Sequence, residues 1–378
     1  MNAIEHHTRP TAAAGRIRAP SDGPAAPDPE DVDYQRRILA QVSRTFALTI
    51  PQLPPRLRMV VGNAYLLCRI ADTIEDDPGI APAAKRALAA DFLAAVAGRG
   101  DAAAFPARAS LAVSSAMSAA ERELLRESGR VMAILHTFAP AEREAVERCL
   151  AVMTEGMARF QERPAPRVRS HGDLADYRYV VAGCVGVMLT ELFCAHSPEI
   201  AVHRDRLRGL AASFGQGLQM TNILKDVWED RGRGQSWLPS AELAAEGVDI
   251  GRLEDALGSP GFRRAMLRLV SVALWHLDRA LAYTLLIPPR ETGIRRFCVW
   301  AVLMAVLTLR KICQRLDYQA GDEVKISRRA VQAVTVLAGS GAGSNRLLRL
   351  LFAAARAGLP GSVPDERARG AGHRSAAV

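Results

Sequence analysis

Apolar residues recur at spacings of three and four through most of the chain between positions 31 and 358, broken by short Gly- and Pro-containing stretches and with few alternating β-branched runs. This pattern predicts helices near 32–48, 55–76, 80–97, 118–136, 141–162, 173–195, 203–231, 262–286, 292–316 and 327–338. An all-α, single-domain body follows, without a repeat of solenoid period. Residues 1–30 are rich in Ala and Pro, lack an apolar core for a secretory signal, and read as a disordered leader. Acidic residues at Asp22, Asp28, Glu30 and Asp31 argue against a transit peptide. Residues 359–378 read as a disordered tail. Loops with Pro164-Ala-Pro166, Gly232-Arg-Gly234 and Pro288-Pro289 separate helices.

Composition narrows the picture. The 378 residues are 49% hydrophobic, ample for a core. The longest apolar run, Phe297 to Leu309, is shorter than the ~18 residues a membrane span needs. The six cysteines show no paired CxxC spacing, which fits free thiols in a reducing cytoplasm. A net charge of +9 would suit nucleic acid, but aromatics are only 5% and no basic-aromatic interleaving occurs, so an anionic small molecule or membrane surface is the better partner class. The Gly339-Ser-Gly-Ala-Gly343-Ser stretch follows no strand and reads as a flexible linker. Walker A, HExxH and Gly-x-Ser-x-Gly patterns are absent, which removes P-loop and common hydrolase readings.

Two acidic clusters share one spacing: Asp72-Thr-Ile-Glu75-Asp76 and Asp226-Val-Trp-Glu229-Asp230. On a helix, positions i, i+3 and i+4 share a face, so each cluster directs its carboxylates one way. Either alone would pass for an exposed acidic patch. Two copies with apolar flanks ask for a cation, and hard oxygen donors suit Mg²⁺ shared with substrate phosphates. Asp77 adds a fourth carboxylate to the first cluster. Gln219, Asn222, Asp226 and Asp230 form one oxygen-bearing stripe in the second.

Five motifs in order resemble the squalene and phytoene synthase family of head-to-head prenyltransferases. They are Ser43-Arg44-Thr45-Phe46; Tyr65-x-x-x-Arg69-x-x-Asp72-x-x-Glu75-Asp76-Asp77; Tyr177-Arg-Tyr-Val-Val-Ala182-Gly183-x-x-Gly186; Gln219-x-x-Asn222-x-x-x-Asp226-x-x-Glu229-Asp230; and Trp237-Leu-Pro239. The resemblance implies an isoprenoid-synthase helical bundle around a central apolar cavity, with the acidic motifs facing each other at its mouth. It also implies Mg²⁺, with Mn²⁺ as a substitute, held by Asp72, Glu75, Asp76, Asp226, Glu229 and Asp230. Ser43, Arg44, Phe46, Arg69, Gln219, Asn222 and Lys225 would bind substrate. Tyr65, Tyr177 and Arg69 would serve catalysis, with Tyr177 as acid or base and the adjacent small residues letting backbone approach the substrate. Where many relatives carry Gly-Arg after the second acidic motif, this chain has Gly234-Gln235, leaving Arg231 or Arg233 to supply the displaced charge.

Within that family the condensation of two farnesyl diphosphates gives a cyclopropyl diphosphate, which is either reduced with NADPH to squalene or converted otherwise. Phe297-Cys298-x-x-x-x-x-Met304-Ala305 resembles the cavity-lining helix of squalene synthases. Val324-Lys325-Ile326-Ser-Arg328 resembles their NADPH-associated segment, so Lys325 and Arg328 would hold the cofactor. The alternatives are a phytoene, dehydrosqualene or presqualene diphosphate synthase, or a catalytically silent prenyl-diphosphate binder. Chain length of the substrate rests on residues such as Leu189, Phe193 and Met304. A monomer is expected in the cytoplasm, without nucleic acid. Arg346, Arg349 and Arg356 share a helical face in a stretch free of acidic residues from Val324 to Pro364; the expectation is either peripheral contact with an anionic membrane at its inner face or simple docking of this helix on the core.

Overall fold

The computed structural model describes residues 26–43, 45–99, 104–114 and 117–365. Among them every regular element is helical, as the periodicity predicts. Long helices run over Pro55–Asp76, Pro140–Gln161, Arg204–Lys225, Pro260–Leu286 and Thr292–Gln314, most opening with proline at a first-turn position where its missing N–H is not needed. One continuous buried core joins them. The Arg204–Lys225 helix lies along Pro260–Leu286 and also meets Cys184–His196 and Thr292–Gln314, so it forms the axis of the bundle.

Glycines set how closely that axis is approached. A side chain at Gly215 would lie 1.9 Å from the Ala182 carbonyl oxygen, and one at Gly186 would lie 2.0 Å from the Ala211 carbonyl oxygen. Backbone therefore meets backbone, and the Ala182-Gly183-x-x-Gly186 segment packs helix on helix.

Several predicted helices are divided. The expected 32–48 helix is two, Pro29–Val42 and Thr45–Thr49, because the Ser43 hydroxyl accepts from the Phe46 amide and restarts the turn. The 118–136 stretch splits at Glu127 into Ala119–Arg126 and Ser128–Leu135. The 173–195 stretch passes from His171–Arg178 through a π-turn, Tyr179–Gly183, into Cys184–His196. The 203–231 stretch breaks at Asp226, whose φ of −100° and ψ of 19° separate Arg204–Lys225 from Val227–Gly232. The helix Ala104–Ala112 was not anticipated. The glycine-rich stretch expected as a flexible linker instead ends Arg328–Ser340 and turns directly into Asn345–Arg356, with Gly339 packed on Trp300. The tail expected to be unstructured from Pro360 is packed as far as Asp365, with the Val363 amide donating to the Ser271 carbonyl at 3.1 Å.

By length and composition, His171–His196, Pro260–Leu286 and Thr292–Gln314 are apolar enough to cross a membrane. More than half of each apolar window is buried inside the bundle, and a helix at the centre of a large core is apolar all round for that reason.

Candidate active site

The first acidic motif lies on the last turns of Pro55–Asp76. Burial, then the neighbouring Asp76, push the Asp72 carboxyl up to about 7, against the pull of Arg69. Glu75 is buried, receives a hydrogen bond from Gln161 and has its carbonyl bound by Lys85; burial and Asp76 push its carboxyl up to about 8. Asp77 does not join them. Its oxygens accept from the Ser114 amide and hydroxyl, both at 2.7 Å, and from the Gly79 amide at 2.8 Å. The fourth carboxylate of the cluster is thus a loop clamp rather than a ligand.

The second motif has a different setting. Asp226 sits in the helix break and pairs with Lys225 at 2.7 Å. Glu229 is exposed and accepts from the Gly321 amide at 2.7 Å. Asp230 is buried, and burial pushes its carboxyl up to about 6 against the pull of Arg233, which binds it at 2.5 Å. Arg231 turns away to Glu254 and to the Ile250 and Gly251 carbonyls. Of the two arginines expected to replace the displaced charge, Arg233 is therefore the one at the site. Asn222 is exposed and Gln219 half-buried on the same helix as Lys225.

Both motifs converge on Tyr177. Its phenol is held well above the ordinary tyrosine range by burial and by the charges of Glu75, Asp76, Asp72 and Asp230, so both clusters lie within electrostatic reach of one hydroxyl. Asp76 likewise acts on Asp230, and Arg233 feels Asp230, Asp76 and Asp226. The Tyr177 ring stacks on Trp237 at 3.8 Å with planes 8° apart, and Phe160 meets its edge at 5.3 Å. The aromatic of the Trp237-Leu-Pro239 motif thus clamps the tyrosine. Sequence spacing gave no sign of this contact.

Beside the first motif, Tyr65 stacks obliquely with Phe46 at 5.0 Å. Burial raises its phenol, while a hydrogen bond with Ser43 and the charge of Arg69 oppose the rise. Arg69 pairs with Glu121, and its buried Nε has no hydrogen-bond partner. Arg44 lies outside the described residues. Among the described residues no three carboxylate, histidine or thiol side chains lie close enough to enclose a metal ion on their own. Lys325 and Arg328 stand apart, exposed, with Lys325 paired to Asp322. Their segment is nevertheless fastened to the second motif, since a side chain at Gly321 would lie 3.0 Å from an Asp226 carboxylate oxygen.

The squalene/phytoene synthase family model matches residues 39–330, which carry all five motifs. The chain belongs to this family. Its curated relatives include squalene synthase BSS of Botryococcus braunii, 30% identical over 78% of this chain and 61% of the relative, and squalene synthase of Eremothecium gossypii, 29% identical over 72% and 60%. The chain thus spans about three fifths of the length of these two relatives. A solved complex of TcSQS with the ligand BPH1237 superposes with a TM-score of 0.71 at 26% identity, covering 86% of this chain and 92% of that one. A dehydrosqualene synthase shares the fold, with a TM-score of 0.58 at 19% identity. For a squalene/phytoene synthase, the bundle and the opposed acidic helices are the expected frame.

Proposed function

We propose that this protein is a squalene synthase, joining two farnesyl diphosphates head to head through presqualene diphosphate and reducing the product with NADPH. The observation that carries the reading is the family match over residues 39–330, which hold all five motifs, with both acidic motifs acting electrostatically on the buried Tyr177 phenol. The donor set fits Mg²⁺: it is all oxygen, and its carboxyls are driven up first by burial and then by neighbouring carboxylates, both of which a cation would offset. Asp72, Glu75, Asp76, Asp226, Glu229 and Asp230 would hold the ion together with substrate diphosphate and water. Bound Mg²⁺ would neutralise charge developing on the departing diphosphate.

The chain's own groups supply the rest. In this reading Arg69, with Lys225 and Arg233 beside the second motif, would donate to diphosphate oxygens. Tyr177 keeps its proton at neutral pH, so it acts first as a hydrogen-bond donor and acid toward the leaving group. Phe46, Tyr65, Phe160 and Trp237 offer aromatic faces that exclude water from an allylic cation. For the reductive step, Lys325 and Arg328 would hold the NADPH phosphates. Lys325 must then exchange Asp322 for phosphate, and Gly321 keeps the segment against the second motif.

The apolar product calls for delivery to a membrane. Val336, Leu337, Leu347 and Leu350 are exposed on Arg328–Ser340 and Asn345–Arg356, two neighbouring helices in a stretch without acidic residues. Arg346 and Arg349 are exposed there and face anionic lipid in this reading. Arg356 does not: it pairs with Asp278 at 2.9 Å and serves docking of its helix. Flotation with anionic vesicles should be lost in Leu347→Asp/Leu350→Asp, and undiminished flotation would remove the membrane contact.

Product analysis tests the catalytic reading. Purified protein with farnesyl diphosphate and Mg²⁺ should give squalene only when NADPH is added. Dehydrosqualene or presqualene diphosphate in the presence of NADPH would overturn the reductive step, and absence of any turnover would favour a silent binder.

A further inference from the structure

Beyond the helix Asn345–Arg356 the chain doubles back over the bundle. The Leu359 amide donates to the Arg356 carbonyl, Arg356 donates to the Ser362 hydroxyl at 3.1 Å, and the Val363 amide binds the Ser271 carbonyl on Pro260–Leu286. Two residues later Asp365 enters the core, only 5% exposed. One of its carboxylate oxygens accepts from Arg178 at 2.7 Å and meets His276 Nε2 at 3.1 Å. Arg178 and His276 are both 0% exposed.

The position of Arg178 gives this contact its meaning. It is the last residue of His171–Arg178, immediately after Tyr177 and immediately before the π-turn. Successive helical residues point about 100° apart, so Tyr177 and Arg178 leave the same backbone in different directions. Tyr177 stacks on Trp237 within electrostatic range of both acidic motifs, while Arg178 reaches inward to Asp365. Arg178 Nε also donates to the Leu174 carbonyl one turn earlier, tying the guanidinium to its own helix. A guanidinium cannot shed its charge, so without a partner it must either stay uncompensated in the core or pull the helix end toward water. The π-turn shifts the register between the two helices, so what holds Arg178 at its start sets the direction in which Tyr177 leaves the backbone.

We infer that Asp365 is a positioning residue for Tyr177: by neutralising Arg178 at the junction of α-helix and π-turn, the segment 357–365 fixes the tyrosine against Trp237 and toward both acidic motifs. The inference rests on the catalytic role given to Tyr177 above, and it assigns function to a segment outside the matched family region. His276 completes the latch by joining Asp365 to Pro260–Leu286, the helix against which the central axis packs.

The test is a double-mutant cycle in the full-length protein. Asp365→Asn should lower kcat for condensation by about thirtyfold, within the range a misplaced acid–base group costs, with KM for farnesyl diphosphate changed less than about twofold. In a Tyr177→Phe background the same substitution should cost almost nothing further, since both act through one group. Asp365→Glu should recover part of kcat. Arg178→Met/Asp365→Leu, which removes both charges, should recover the fold and much of kcat. Full additivity of Asp365→Asn with Tyr177→Phe, or a loss confined to KM, would overturn the inference. An activity-independent measurement separates this inference from the catalytic reading: Asp365→Asn should change the near-ultraviolet circular dichroism of the Tyr177–Trp237 stack in the same sense as Tyr177→Leu. An unchanged spectrum would refute the latch even in an active enzyme, and a changed one would support it even if no turnover were found.

Discussion

The two acidic motifs have one spacing and two environments. The first rides an unbroken helix, with Asp72 and Glu75 enclosed and raised by burial, and with Asp77 diverted to clamp Ser114 and Gly79. The second straddles a helix break, and cations already accompany it: Lys225 on Asp226 and Arg233 on Asp230. Identical spacing therefore does not mean identical work. At the first motif Arg69 and Lys85 are nearby, but they are tied to Glu121 and to the Glu75 carbonyl, and Asp72 and Glu75 stay raised. At the second the cations sit directly on the carboxylates and can turn to a diphosphate when one arrives.

Substitutions can break this comparison at several strengths. The largest effect is expected from removing one carboxylate on either side: Asp72→Asn and Asp226→Asn should each cut turnover by roughly a thousandfold or more while far-ultraviolet circular dichroism keeps its helical shape. Near-normal turnover in either variant would free that motif from the reaction. Tyr177→Phe should lower kcat by about a hundredfold with substrate affinity retained, as fluorescence titration with an unreactive prenyl diphosphate analogue would measure. Arg233→Met should raise KM for farnesyl diphosphate about tenfold, whereas Arg231→Met, whose partner is Glu254, should leave it within about twofold. Equal effects of the two arginines would erase the distinction drawn between them. The smallest catalytic effect belongs to Asp77→Asn: it should destabilise the protein by about 1–2 kcal/mol in urea unfolding, yet leave the Mg²⁺ concentration needed for half-maximal rate unchanged.

What the chain disclosed in advance followed from local rules. Helical periodicity placed most elements, the acidic clusters were visible as spacings, and the two tyrosines were visible through the family resemblance. What stayed hidden depends on partners distant in sequence or on strain within a helix. Asp77 read as a fourth carboxylate of the first cluster because Ser114, whose amide and hydroxyl it binds, is 37 positions away. The break at Asp226 contains no proline or glycine to mark it. Trp237 showed itself as a motif member, but its stack on Tyr177 arises only when the loop after the second motif folds back. Asp365 lay in a stretch whose Gly, Ser and Pro content reads as disorder, and it is ordered by distant partners, with Arg178 and His276 on Asp365 and Ser271 on Val363.

The account depends most on the claim that both motifs serve one shared diphosphate site. Isothermal titration of an unreactive farnesyl thiodiphosphate, with and without Mg²⁺, into wild type, Asp72→Asn, Asp226→Asn and the double variant examines it directly. A shared site predicts that each single variant loses the Mg²⁺-dependent part of the affinity and that the double variant is little worse than either. Independent, additive losses, or Mg²⁺-dependent affinity that survives in one single variant, would contradict it.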